Sequence, residues 1–220
     1  MMTKKIFVAI DTKNISRARK ILKEINTEKI KIGYKFGLEL FNSKNGRFFI
    51  SKIKNKVIFA DLKLNDIPNT MISTVKAVKD LKVNYLSIHI SSGLAALKGV
   101  KKIAGKTKIV GVTTLTSLDN KDLKQIGYKR SVKNLVIHQA KLAVKAKLDA
   151  LVCSAHEVNE VRKIFRKEII TPGIKFGQKN NDQKRVKNPS QINSDWLVIG
   201  RSITKGNIKK NIKRLIRLLS

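Results

Sequence analysis

The sequence predicts a closed (β/α)8 barrel. Three observations predict it: eight short apolar runs, amphipathic helical stretches between them, and no linker anywhere along the 220 residues. A doubly wound open sheet is the main competitor, because strand count alone does not close a barrel. No Pro/Gly/Ser-rich boundary or low-complexity segment divides the chain, so residues 1–220 read as one domain, at the short end for such a barrel.

The strands come first by residue character. Residues 6–10 (Ile-Phe-Val-Ala-Ile) are β-branched and apolar, too short for a secretory core, and read as the first strand. The next candidates are 30–33, 57–62, 85–89, 109–115, 150–154, 169–172 and 196–200. Helical spacing separates them. Over 15–25, apolar residues fall at Ile15, Ala18, Ile21, Leu22 and Ile25, and over 71–81 at Met71, Ile72, Val75, Val78 and Leu81. Residues 132–146, 158–165 and 208–219 repeat the pattern. The least regular segment, 175–189, is polar and reads as a loop after the seventh strand.

Composition narrows the function classes. No run approaches the roughly 18 apolar residues of a membrane span, so a cytoplasmic protein with no membrane partner is expected. The single cysteine, Cys153, excludes an internal disulfide and a cysteine-based zinc site, and its apolar setting predicts a buried, inert thiol. His89, His138 and His156 show no metal-ligand spacing, and no Gly-x-Gly-x-x-Gly fingerprint is present; neither metal nor cofactor is expected. The net charge is +33, from 48 Lys and Arg against 15 Asp and Glu. Such a field attracts polyanions. The lysines are nevertheless spread along the whole chain, and 28 Ile and 17 Asn accompany them, as drift toward A/T-rich codons would produce. Aromatics are 5%, thin for the stacking platforms of single-strand binders, so no specific nucleic-acid partner is expected.

In a chain so short of acid, Asp61-Leu62-Lys63-Leu64-Asn65-Asp66 sets two carboxylates around one lysine at the end of an apolar strand. Alternation places Asp61 and Lys63 on one face. Charges there are costly to bury unless they pair. A barrel's active site lies at the carboxyl ends of its strands. Those ends supply Asp11, then Lys31 from the second strand, then Asp61, Lys63 and Asp66, then Thr116 and Ser117 from the fifth. Strands seven and eight end in Pro172-Gly173-Ile174 and Gly200-Arg201-Ser202, where such barrels bind phosphate and where an arginine fork suits it. Lys31, Asp61, Lys63 and Asp66 would form a chain of opposite charges. A lysine among carboxylates keeps its proton, which makes it a donor and not a Schiff-base nucleophile.

The run Asp61-Leu62-Lys63-Leu64-Asn65-Asp66-Ile67-Pro68-Asn69-Thr70 resembles the signature of the orotidine 5′-phosphate decarboxylases. The resemblance extends through Val8-Ala9-Ile10-Asp11, Lys31-Ile32-Gly33, Leu115-Thr116-Ser117, Thr171-Pro172-Gly173-Ile174, Asp182-Gln183 and Ile199-Gly200-Arg201. It implies a (β/α)8 homodimer that converts orotidine 5′-phosphate to UMP without a cofactor. By the same resemblance Lys63 protonates C6, Asp61 stands against the substrate carboxylate, and Lys31 bonds the ribose and the carboxylate network. Asp66 and Thr70 would reach the neighbouring subunit's site. Asp11 and Thr116 would contact the nucleoside, and Gln183, Gly200 and Arg201 the phosphate. The family commonly has Arg where this chain has Lys175, which keeps the charge without the fork. Keto-sugar-phosphate decarboxylases and hexulose-phosphate synthases share the Asp-x-Lys-x-x-Asp core.

Overall fold

The computed structural model describes residues 4–176 and 189–219. In chain order the elements are β1 (Lys5–Ala9), α1 (Ile15–Glu24), β2 (Ile32–Gly37), α2 (Leu38–Phe41), α3 (Gly46–Ser51), β3 (Val57–Leu64) and α4 (Pro68–Val78). They continue with β4 (Tyr85–His89), α5 (Gly93–Ile103), β5 (Lys108–Val112), α6 (Asn120–Gln125), α7 (Val132–Lys145) and β6 (Ala150–Val152). The last are α8 (Val158–Ile164), β7 (Glu168–Thr171), β8 (Trp196–Ile199), α9 (Arg201–Thr204) and α10 (Ile208–Leu219). The eight strands are parallel and close in sequence order, β8 pairing back onto β1 through Lys5↔Trp196 and Val8↔Ile199. Closure decides against the open sheet.

Side-chain alternation divides each strand between two cores. Phe7, Ala9, Phe59, Tyr85, Val110, Ala150, Ile170, Trp196 and Val198 fill the barrel interior. Their strand neighbours, among them Ile6, Val8, Ile58, Leu86, Ile109 and Leu197, face the helices in a second, larger core. The helices supply their own apolar stripes to it, such as Ala18 and Ile21 of α1 and Ile208, Ile212 and Leu215 of α10.

The lower interior is an aromatic plug. The Phe7 ring stacks on Trp196 at 4.0 Å and 19°, and lies 5.2 Å from Phe59 and 5.3 Å from Tyr85. Gly33 on β2 is what admits the Phe7 ring, since a Cβ there would stand 2.6 Å from it. Trp196 is therefore packing, as its place in an apolar run suggests. Beneath the plug, Glu168 accepts hydrogen bonds from Lys5 at 3.1 Å, Tyr85 at 2.8 Å and Lys108 at 2.9 Å.

Several element bounds differ from the sequence reading, for reasons that lie outside the local pattern. β2 runs on to Gly37, four residues beyond the apolar stretch, because Tyr34 to Gly37 pair with Ile58 to Asp61 of β3. β5 stops at Val112, and residues 113–115 leave the sheet. α4 starts at Pro68, where proline's fixed φ suits a first turn, and a 3-10 turn at Lys79–Leu81 completes the 71–81 stretch. The helical spacing of Ala96, Leu97 and Val100 in α5 went unread, as did four short helices: α2, α3, α6 and α9. Cys153 is fully buried as expected, and burial pushes its thiol up to about 12.

Candidate active site

The carboxyl-terminal mouth of the barrel holds a cavity of about 590 Å³. The polar side chains at this mouth continue the inward parity of their strands: Asp11 after β1, Lys35 on β2, Asp61 and Lys63 on β3, Ser87 and His89 on β4; Gly200 holds the same place after β8. The aromatic plug closes this space from below with Phe59, which also lines it.

Asp61 organises the centre. Its side chain is 9% exposed, and its carboxylate takes three partners: Lys63 Nζ at 2.8 Å, Lys35 Nζ at 3.2 Å and the Ser87 hydroxyl at 2.9 Å. Burial alone would raise its pKa. The ammoniums of Lys35 and Lys63, and the hydrogen bonds from Lys63 and Ser87, outweigh burial and hold the carboxyl below its usual range. Lys35 also stands 3.6 Å from Asp11, so the chain of alternating charge runs Asp11, Lys35, Asp61, Lys63.

Lys63 has an unusual backbone for a strand residue, with φ of 50°. Left-handed geometry at a residue with a Cβ costs about 1–3 kcal/mol and persists only where neighbours hold it. Pairing between β3 and β4 shifts register between Ala60 and Leu64, as at a bulge, and the freed Lys63 N–H donates to the Ser87 hydroxyl at 2.9 Å. Lys63 lines the cavity beside this irregularity, with its side chain 35% exposed. His89 follows on the same face of β4. Burial first, then the Lys63 ammonium, depress its pKa against the opposing pull of Asp61.

The structure gathers most of the residues expected from sequence. Asp11, Asp61, Lys63, Thr116, Lys175, Gly200 and Arg201 all line the cavity. Lys31 does not. It is exposed and immediately precedes β2, at the amino-terminal mouth, roughly 13 Å along an extended chain from Lys35. The apolar run at 30–33 covers only the start of the strand, whose carboxyl-terminal half carries Lys35. Asp66 is also outside the charge chain. It is exposed, makes no ion pair among the described residues, and accepts a hydrogen bond from the Ile67 N–H at 2.7 Å. Thr70 is exposed on the first turn of α4 and does not line the cavity. Gln183 lies outside the described residues. Thr116 reaches the cavity from the turn after β5, and the segment before it is tied down where Thr114 N–H donates to the Gln139 side chain at 2.8 Å.

Sequence reading missed Lys35 and Ser87. A signal existed for each: Lys35 and Ser87 are polar residues at inward positions of otherwise apolar strands, but parity can be assigned only once a strand's extent is known. Among the described residues, no group of three or more His, Cys, Asp or Glu is placed to hold a metal ion.

Comparison with known proteins is consistent along the chain. A family described as orotidine 5′-phosphate decarboxylase / HUMPS matches residues 4–214. Orotidine 5′-phosphate decarboxylase of the Wolbachia of Brugia malayi is 44% identical over 221 residues, covering 96% of each chain. That of Ehrlichia chaffeensis is 40% identical, over 93% of this chain and 91% of its own. Among solved structures, orotidine 5′-phosphate decarboxylase from Lactobacillus acidophilus superposes with a TM-score of 0.83 at 26% identity, covering 99% of both chains.

Proposed function

The chain belongs to the orotidine 5′-phosphate decarboxylase / HUMPS family, and from that premise we propose that it converts orotidine 5′-phosphate to UMP without a cofactor. The observation that carries the reading is the Lys35–Asp61–Lys63 array, set at the end of a strand with Lys63 bent into the cavity. The reaction requires that array. When the bond from C6 to the carboxylate breaks, the electron pair stays on C6, where no carbonyl delocalises it. An ammonium already in place stabilises that charge without reorganisation. Lys63 then gives its proton to C6, and solvent restores it.

Asp61 has two parts in this scheme. It fixes the Lys63 ammonium, and its charge faces the substrate carboxylate, which leaves as neutral CO2 and so relieves the repulsion. Lys35 takes the place that the sequence assigned to Lys31, bridging Asp61 and the Asp11 carboxylate where the ribose would lie. At the other wall, Gly200, Arg201 and Lys175 offer the phosphate a loop and two cations. Phosphate binding far from C6 supplies energy that organises the reacting end. Gln183 belongs to the same grip in this reading.

A homodimer completes the site, with Asp66 and Thr70 directed toward the neighbouring subunit. In support, both residues are exposed and flank Ile67, an isoleucine 66% open to solvent, as an interface residue would be in a lone chain. A cytoplasmic location is part of the same reading; among the described residues no helix is long and apolar enough to cross a membrane.

A spectrophotometric assay with orotidine 5′-phosphate in EDTA tests the proposal. Turnover is expected there. No turnover, together with a magnesium-dependent reaction on a keto-sugar phosphate, would overturn it in favour of a sister activity. Light scattering of the purified chain, with and without UMP, tests the dimer.

A further inference from the structure

Ser87 is fully buried on the inward face of β4, one strand across from the bulge. Its hydroxyl has two tasks at once. The oxygen accepts from the Lys63 backbone N–H at 2.9 Å, and the hydrogen is donated to Asp61 Oδ1, also at 2.9 Å. A hydroxyl can serve both because it is one donor and an acceptor. The Lys63 N–H lies where the pairing of β3 with β4 shifts register, and it donates to this hydroxyl. Asp61 already engages both ammoniums through Oδ2, so Ser87 holds the other carboxylate oxygen and sets the rotation of the group.

We infer that Ser87 is a positioning residue for the decarboxylation: its hydroxyl ties the left-handed Lys63 backbone to the Asp61 carboxylate and so fixes the direction in which the Lys63 ammonium enters the cavity. This rests on the proposed function. Ser87 touches neither C6 nor the phosphate in this arrangement, since it reaches the cavity only through its two neighbours. The coupling also explains how a residue with φ of 50° is retained at this point. Without the hydroxyl, the Lys63 N–H and a carboxylate oxygen both lose a partner, and nothing ties the left-handed Lys63 backbone to the carboxylate that its ammonium meets.

The test compares Ser87→Ala, Ser87→Thr and the wild-type chain for turnover of orotidine 5′-phosphate, binding of UMP and thermal unfolding. For Ser87→Ala, kcat should fall by about 10–100-fold while KM and the Kd for UMP stay within about threefold, the split expected when an arrangement needed in the transition state is lost. The acid limb of its kcat/KM profile should move to higher pH, because Asp61 loses a hydrogen bond to its charged form. Ser87→Thr keeps the hydroxyl on a residue suited to a strand and should recover most of kcat. If Ser87→Ala does not fold, Ser87→Cys, of similar shape with a weak donor, carries the same comparison. A Ser87→Ala kcat within threefold of wild type overturns the role. So does an equal loss in Ser87→Ala and Ser87→Thr, which would mark simple packing. An inactive wild-type chain instead overturns the proposed function, and the positioning role with it.

Discussion

The two mouths of the barrel carry nearly the same polar device. At the amino-terminal mouth Glu168 lies between Lys5 and Lys108 and accepts from the hydroxyl of Tyr85. At the carboxyl-terminal mouth Asp61 lies between Lys35 and Lys63 and accepts from the hydroxyl of Ser87. Both hydroxyls come from the inward face of β4, two residues apart. In both carboxylates burial would raise the pKa, and in both the lysines and the hydroxyl outweigh burial and lower it. The difference lies underneath and around. Glu168 is held by Tyr85, whose ring meets the stacked Phe7 and Trp196 edge-on, and it lies on strands in regular register. Asp61 opens onto a cavity, beside a bulge and a left-handed lysine. A carboxylate between two lysines is therefore not in itself a mark of chemistry. What distinguishes the Asp61 cluster is the open space and the left-handed backbone beside it.

The largest expected effect is at Lys63. Lys63→Ala should lower kcat by at least about 10³-fold, as expected for losing both charge stabilisation and the proton donor, while UMP binding stays detectable by calorimetry. Substantial turnover would remove Lys63 from its assigned role. The second contrast lies between the two ends of β2. Lys35→Ala should cost about 10²-fold or more in kcat/KM by freeing Asp61 and Asp11, whereas Lys31→Ala, at the other mouth, should leave kinetics within about twofold. Equal losses would break the distinction between the mouths.

Glu168→Gln should do the converse. It leaves two lysines around a neutral group, so stability should fall by about 1–3 kcal/mol in urea unfolding, with kcat nearly unchanged. The smallest effect is in acid. Because the folded pKa of Glu168 is depressed, its contribution is present above the ordinary carboxylate pKa and lost as pH falls through the folded value. Unfolding measured from pH 6 downward should thus be less steep for Glu168→Gln than for wild type. Identical slopes would show that Glu168 gains nothing from its three donors.

The legibility of these features followed their range along the chain. The Asp61–Lys63 pair stood out because it is local: alternation fixes their shared face from sequence alone. The eight strand candidates, and the helices at 15–25, 132–146 and 208–219, were legible for the same reason. The apolar run at 30–33 points to Lys31 because it ends before the strand does. Tyr34 to Gly37 are held as strand by β3, a partner more than twenty residues away. Ser87 carried a signal, a polar residue inside an apolar strand, but its partners on β3 follow only from the register between the two strands.

The succession of strands, the two-residue and helical periods of the longer elements, and the carboxylate–lysine pair at the end of β3 follow from neighbours in the chain. Where β2 ends, whether Lys31 or Lys35 meets Asp61, and which of two similar charge clusters opens onto a cavity are matters of three-dimensional packing. Those depend on strand register and on what packs beneath, and both are settled by residues far apart in sequence.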